Sequence, residues 1–320
     1  MTQAAPVRRF IGVSLNAAID KSAAVDRLDL GRIHRPEMLS VLPGGKALNA
    51  VRAARHLGVA SEAVAVIAGH AGEWIVDELG AREIPGWFVR MDGESRTCLS
   101  VLDRSTGELT EFYEAGLVLD EARWPSVEAA LGEALSRDPA SAIVLLAGSL
   151  PPGTPSDAYR RLAASASALG ARVVVDIGGA PLSAALEACP WLVKINAAEA
   201  SETTGLPTTN RNDVLAAARR LIQGGAEQAL ITMGIDGSVL VTKDGAWGVG
   251  RAPEVGPYSV GSGDALIGGL VAALARDEDL PTALRFGAAA ATANALIPGQ
   301  GELDPADVER LAPLCEVTPL

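Results

Sequence analysis

Cysteine is scarce in this chain: Cys98, Cys189 and Cys315 are the only three in 320 residues. They are odd in number, far apart and in no metal-ligand spacing, which argues against a thiolate metal centre. The expectation is three buried free thiols. Aromatic residues are nearly as sparse, at 4% of a sequence that is 48% apolar. The core must therefore be built mainly from Ala, Val, Leu and Ile. Positive charge is short as well, and the net charge is −12. Neither nucleic acid nor an anionic membrane would be drawn to such a field. An anionic small substrate would need its own local cluster of Arg and Lys. The apolar stretches at 143–147 and 265–275 are too short or too interrupted to span a bilayer. Residues 1–9 have no apolar signal core. A soluble cytoplasmic protein is expected.

What is present is a rhythm of short apolar runs. A chain this long can bury roughly three quarters of its unfolded surface, in one large α/β domain or two smaller ones. The runs at 142–147, 172–176, 191–195 and 228–232 predict strands, with helical patterns between them. The first of those helices is expected at 156–169, with a Ser156 cap and a closing Gly170. This alternation predicts an α/β fold, a mostly parallel sheet flanked by helices on both faces. The runs 238–242 and 246–250 flank Lys243-Asp-Gly245 and predict an edge hairpin. The first third breaks the rhythm. Residues 22–42 hold no convincing helix, and 97–102 with 108–113 predict a second hairpin. The expected organisation is a single domain, 1–320, with a small β-sheet lid formed by approximately 20–42 and 90–116.

Three elements carry chemistry. Gly261-Ser-Gly-Asp264 runs into a small-residue apolar segment. It predicts a turn whose backbone N–H groups converge at a helix N-terminus, a site for a phosphate or a developing oxyanion. A carboxylate there makes sense if Asp264 handles a proton or a metal beside a transferring phosphoryl group. For this motif alone, a helix cap explains Asp264 equally well. A helix N-terminus also predicts a depressed pKa, hence a weak ground-state base.

The second element, Pro43-Gly-Gly-Lys46, opens a helix that runs to Gly58. Gly44 and Gly45 let a ligand approach the backbone, and Lys46 and Asn49 lie about one turn apart. A cation and an amide suit a sugar's phosphate and hydroxyls; an ordinary turn with a solvated Lys is the plain alternative. The third, Val193-Lys-Ile-Asn-Ala-Ala-Glu199, sets Asn196 and Glu199 on one face of a starting helix. That pair suits a hard cation such as Mg²⁺ held partly through water, although both types are common at helix starts. Neither Gly element has the dinucleotide or P-loop spacing.

Together these elements reach a resemblance. Gly44-Gly45-Lys46 with Asn49, Gly148-Ser-Leu-Pro-Pro-Gly153, Lys194 with Asn196 and Glu199, Thr232-Met-Gly234 with Gly237, and Gly261-Ser-Gly-Asp264 stand in one order along the chain. From about Gly12 to Leu311 the sequence resembles the ribokinase-like carbohydrate kinases of the PfkB family. It is most similar to the branch of 1-phosphofructokinases and tagatose-6-phosphate kinases.

The resemblance implies a ribokinase-like fold and ATP-dependent phosphorylation of a sugar phosphate: fructose 1-phosphate, tagatose 6-phosphate or fructose 6-phosphate. It implies Asp264 as catalytic base and Gly261, Ser262 and Gly263 as a backbone anion hole. Substrate would fall to Asp20, Gly44, Gly45, Lys46, Asn49, Arg96 and Ser149. The nucleotide would fall to Lys194, Thr232, Gly234 and Gly237, and Mg²⁺ with its waters to Asn196 and Glu199. Arg32 or Arg35 is a further candidate for the sugar's phosphate. ATP and Mg²⁺ are the implied cofactors, joined by a monovalent cation near Ser259 and the 298–301 loop. A homodimer through the lid is implied; no nucleic-acid or membrane partner is expected.

Two alternatives stand beside this reading, a kinase of an unphosphorylated sugar or nucleoside and a non-catalytic sugar-phosphate-binding regulator. Some residues depart from the family pattern. Ala47 stands where Gly is frequent, Ile195 where Pro is common, and 176–179 lacks the usual small hydroxyls. The Ala47 methyl is expected close to the sugar phosphate.

Overall fold

The strand Arg9–Ser14 shows why the apolar runs are unbroken rather than alternating. Its side chains do alternate, but both faces are covered: Phe10 joins one core layer, Ile11 and Val13 the other. The same holds for Ala142–Ala147, where Ile143 and Leu145 face one layer and Val144 and Leu146 the opposite one.

The computed structural model describes residues 6–320. Its main sheet has ten strands. Seven pair in parallel, in the order Ala229–Thr232, Leu192–Asn196, Arg172–Asp176, Ala142–Ala147, Arg9–Ser14, Ser61–Ala68, Gly86–Met91. Beyond Ala229–Thr232 the antiparallel strands Ser238–Val241, Ala246–Val249 and Val317–Pro319 complete the sheet. The helices Lys46–His56, Gly69–Ala81, Ser262–Ala275, Leu280–Leu296 and Pro305–Leu311 cover one face. Trp124–Ala134, Ala158–Ala168, Gly179–Leu186, Ala197–Thr204 and Arg211–Gln223 cover the other.

With so few aromatics, helices pack through Ala and Gly. A Cβ on Gly268 would lie 2.7 Å from the Ala53 Cβ, and one on Gly269 would lie 2.6 Å from the Ala290 Cβ. Glycine inside a helix costs roughly 0.5–1 kcal/mol relative to Ala, so its use here is explained by the close approach. The result clamps Ser262–Ala275 between Lys46–His56 and Leu280–Leu296.

A separate four-stranded sheet has the order Glu37–Gly44, Ala18–Val25, Arg96–Asp103, Leu109–Tyr113. Its last two strands are the expected hairpin, with Leu102 opposite Leu109. The Ser238–Val241 and Ala246–Val249 hairpin forms, but not at the sheet edge as expected, because Val317–Pro319 pairs outside Ala246–Val249. The helix expected from Ser156 starts later, at Ala158: Ser156 lies in a turn closed by the Ala158 amide on the Pro155 carbonyl at 3.0 Å. Gly170, at φ 94°, does end it.

The cysteine expectation holds for two residues only. Cys98 and Cys315 are buried, whereas Cys189 is exposed. Cys189 sits in the surface turn after Gly179–Leu186, with its amide on the Leu186 carbonyl and φ at 49°. Among the described residues no helix is long and apolar enough to cross a membrane.

Candidate active site

Ser14, Asp176, Asn196 and Thr232 all end parallel strands at the same edge of the sheet, the edge where α/β folds gather their ligands. The 261–264 turn faces that edge. Gly261 stands at the N-cap with φ 85° and ψ −7°, and a Cβ on it would lie 2.7 Å from the Gln300 Cα. Only glycine meets both conditions. The Ser262 amide is bonded to the Ser259 carbonyl at 3.2 Å, and the Asp264 and Ala265 amides to the Gly261 carbonyl at 3.0 and 2.8 Å. Among the described residues the Gly261 and Gly263 amides have no acceptor. The Lys194 Nζ lies 2.7 Å from where a Gly263 Cβ would stand, so an ammonium borders the same spot.

Asp264 does not cap its helix. Gly261 holds that position, and Asp264 turns its carboxylate to the neighbouring helix, where Asn49 Nδ2 donates to Oδ2 at 2.9 Å. Asp264 is buried and its pKa is pushed up to about 7, first by burial and then by the charge of Asp176. Lys194, Asn49 and Lys46 pull the other way. The depressed value expected from the helix N-terminus is therefore reversed. Lost hydration outweighs a partial charge at the helix end.

Asp176 is wholly buried and accepts from Lys194 Nζ at 2.7 Å and Lys46 Nζ at 3.2 Å. Burial opposes its charge, but the two lysines prevail and hold its carboxyl below the usual range. Lys46 also lies 3.6 Å from Glu199 Oε1, and Asp176 raises its pKa. It is not a solvated turn lysine.

Asp20 shapes the Gly-Gly turn. A Cβ on Gly44 would fall 2.0 Å from the Asp20 Cγ, and the Gly45 amide, at φ 107°, donates to Asp20 Oδ2 at 3.3 Å. Burial pushes the Asp20 carboxyl up against the pull of Arg52, the Gly45 amide, Arg96 and Asn49. Beside this turn, Asn16, Gly45, Lys46, Arg96, Tyr113 and Ser149 line a cleft of about 230 Å³. Arg96 Nε donates to the Asn16 carbonyl at 3.2 Å, and Asn16 Nδ2 to Ser149 Oγ at 3.2 Å. Arg32 and Arg35 are exposed on the connection before Glu37–Gly44 and do not line this cleft. Ala47 is fully buried in a core layer, so its methyl does not face the cleft, contrary to expectation.

On the other side of the 261–264 turn, Thr232, Gly234, Gly237, Ser262 and Gly263 line a second cleft, of about 370 Å³. Its wall is apolar, with Val249, Leu266, Ala288 and Ala291. Asn196 and Glu199 form a capping box: Asn196 Oδ1 accepts from the Glu199 amide and Glu199 Oε2 from the Asn196 amide, both at 2.9 Å. Among the described residues no three His, Cys, Asp or Glu converge as a metal cage. The donor set fits an ion whose ligands are mainly phosphate oxygens and waters.

Sequence reasoning gave no site role to Asp176, Arg52 or Glu302, and named Gln300 only as part of the 298–301 loop. Asp176 carried a signal, a carboxylate ending a Val-rich strand. Arg52 did too, as a charge one turn from Asn49 on a helix whose other buried residues are mostly apolar.

One cleft lined by Lys46 and Arg96, a second lined by Ser262 and Gly263, a buried carboxylate and a Lys–Asp–Lys cluster form an arrangement suited to group transfer between two small substrates. Residues 13–306 match the pfkB family carbohydrate kinases, and the chain belongs to that family: it is an ATP-dependent carbohydrate kinase. It is 36% identical over 311 residues to the 1-phosphofructokinase of Xanthomonas campestris pv. campestris, covering 95% of this chain and 93% of that protein. It is 29% identical to the 1-phosphofructokinase of Bacillus subtilis, covering 96% and 99%. Phosphofructokinase-2 from Escherichia coli, solved with substrates and products, superposes with a TM-score of 0.85 at 28% identity, covering 96% and 99%. That protein is also solved with potassium and in a tetrameric inhibited form.

Proposed function

We propose that this enzyme phosphorylates a hydroxyl of a sugar phosphate, with fructose 1-phosphate ahead of fructose 6-phosphate and tagatose 6-phosphate. The names of the relatives at 36% and 29% identity favour that order. The observation that carries the reading is the buried Asp264 carboxylate, bonded by Asn49 and in the field of both Lys46, which lines the Arg96 cleft, and Lys194, which borders Gly263.

Residues 1–320 act as one kinase domain, with the small sheet as its lid over the first cleft. Arg96, Ser149, Lys46 and the Gly44–Gly45 backbone hold the phosphate already on the sugar, while Asp20 and Asn49 align its hydroxyls. The nucleotide lies along Thr232, Gly234 and Gly237. Asp264 takes the proton of the attacking hydroxyl, and a base with a pKa of about 7 is matched to neutral pH. Lys194 and the amides of Gly261 and Gly263, in the turn completed by Ser262, receive the charge of the transferring group, which depends on alignment and electrostatics. When bound, Mg²⁺ neutralises charge on the nucleotide phosphates. Asn196 and Glu199 would hold it through its waters. A monovalent cation beside Ser259 and the 298–301 loop is part of this reading, supported by the potassium complex of the E. coli neighbour. So is a cytoplasmic location, where ATP is at hand.

An assay of ADP release over fructose 1-phosphate, fructose 6-phosphate, tagatose 6-phosphate and free sugars tests the assignment. Turnover is expected on a phosphorylated sugar and only with Mg²⁺ present. Arg96→Ala should raise KM for that sugar roughly 10–100-fold, the worth of a charge-assisted contact. Best turnover on a free sugar, unaffected by Arg96→Ala, would make this a neutral-sugar or nucleoside kinase. Binding of ATP and sugar phosphate without turnover would make it a regulator.

The lid also supports a homodimer. It exposes Leu30, Ile33, Met38, Val41 and Phe112, apolar surface that a second copy would cover. Met38→Glu should halve the mass seen by light scattering. An unchanged mass would place the contact elsewhere.

A further inference from the structure

Arg52 is the buried cation that the proposed reaction leaves without a task. It lies on Lys46–His56 and is 1% exposed. Burial lowers its pKa, against the opposing pull of Glu302 and Asp20. A buried ion pair is poor evidence of stability, since an apolar side chain of similar volume often serves as well. Its contacts suggest another purpose. Nε donates to the Pro43 carbonyl at 3.0 Å, directly ahead of Gly44 and Gly45. One terminal nitrogen pairs with Glu302. The other donates to Asn49 Oδ1 at 2.9 Å and to the Gln300 carbonyl. Gln300 in turn backs Gly261, and its side chain donates to Ser100 Oγ in the small sheet at 3.3 Å.

We propose that Arg52 is a positioning residue for phosphoryl transfer, locking the Asn49 amide so that its NH₂ group faces the Asp264 carboxylate. An amide has one acceptor end and one donor end. With the guanidinium on Oδ1, only Nδ2 can meet Asp264 Oδ2, and the other carboxylate oxygen is left for the substrate proton. The same guanidinium ties the sugar turn and the loop behind the anion turn to that contact. The inference rests on the reading of Asp264 as the base. The charged groups facing Asp264 are Asp176, Lys194 and Lys46, and Asp20 shares Asn49 with it. Replacing Arg52 leaves the first three in place, and Arg52→Lys keeps the positive charge that holds the Asp20 pKa down.

Arg52→Lys keeps the charge, but one ammonium cannot span the same set of acceptors. In this variant kcat is expected to fall up to roughly 100-fold, as for a displaced reacting group. The acid limb of kcat/KM should move to higher pH, because a freed Asn49 no longer favours the ionised carboxylate. Asn49→Ala should move the limb the same way, and the double variant should move it no further than Asn49→Ala alone. Should Arg52→Lys fail to fold, Arg52→Met with Glu302→Gln removes both charges, and its limb shift is read in an Asp20→Asn background, because Arg52 also lowers the Asp20 pKa. A lowered melting temperature with unchanged kcat and pH profile would overturn the proposal, as would limb shifts that simply add. Asp264→Asn is run in parallel: full activity there would sink the base assignment itself, whatever the Arg52 variants do.

Discussion

Asp264→Asn should lower kcat roughly 10²–10⁴-fold, the range for a positioned base, and at the same time make the protein more stable at pH 8. The stability gain follows from the raised pKa. The folded-state value is about 7 against an ordinary 3.8, so the folded chain binds this proton more tightly than the unfolded chain does. Between those two values stability falls as pH rises, because the unfolded state holds fewer protons. Above pH 7 the full cost of keeping the buried carboxylate ionised is present, on the order of 4 kcal/mol. Asn carries no such cost. Asp20, raised in the same direction, and Asp176, lowered, are present in both proteins, so the wild type minus the variant reads Asp264 together with its coupling to them. Melting curves from pH 4 to pH 8 read this out: the variant's advantage should be largest at pH 8 and shrink towards pH 4. Unchanged kcat would remove the catalytic role. A constant offset at all pH values would remove the titration.

Asp176→Asn should do the opposite to stability. The change leaves Lys194, 5% exposed, and the half-buried Lys46 without their shared counter-charge. Breaking a buried ion pair from one side costs about 3–5 kcal/mol, which for a chain of this size lowers the melting temperature by on the order of 10 °C. Activity should fall as well, because Lys194 loses the contact that holds it beside Gly263. The charge of Asp176 is the second cause of the raised Asp264 pKa. The acid limb of the residual activity should therefore move to lower pH. A limb that stays in place would mean that Asp176 and Asp264 do not share a field. Two buried aspartates thus give opposite stability changes, because one has two ammonium partners and the other faces a like charge.

Much of the fold was legible because both faces of the central strands are buried and leave unbroken apolar runs. Arg172–Asp176 and Ala142–Ala147 could be read to the residue. The Ser156 helix start could not, since its turn is set by the Pro155 carbonyl and not by the hydroxyl. In the site, the Gly turns and the Asn196–Glu199 pair were visible as local backbone chemistry. Ala47 was misplaced, and Arg32 and Arg35 could not be decided, because proximity in sequence to a motif does not say which way a side chain faces.

The sequence by itself determined the residue types at each turn and the order of the five motifs. Turns and caps follow rules that act over a few residues. Only the tertiary structure decided the charge state of Asp264 and the company of Arg52. A pKa is the sum of burial and charges from elements far apart in the chain; Asn49 and Asp264 meet across 215 residues. The 261–264 turn was expected to hold an acid weakened as a base by its helix. Packed against Asp176 and cut off from water, it holds a carboxylate poised near neutrality.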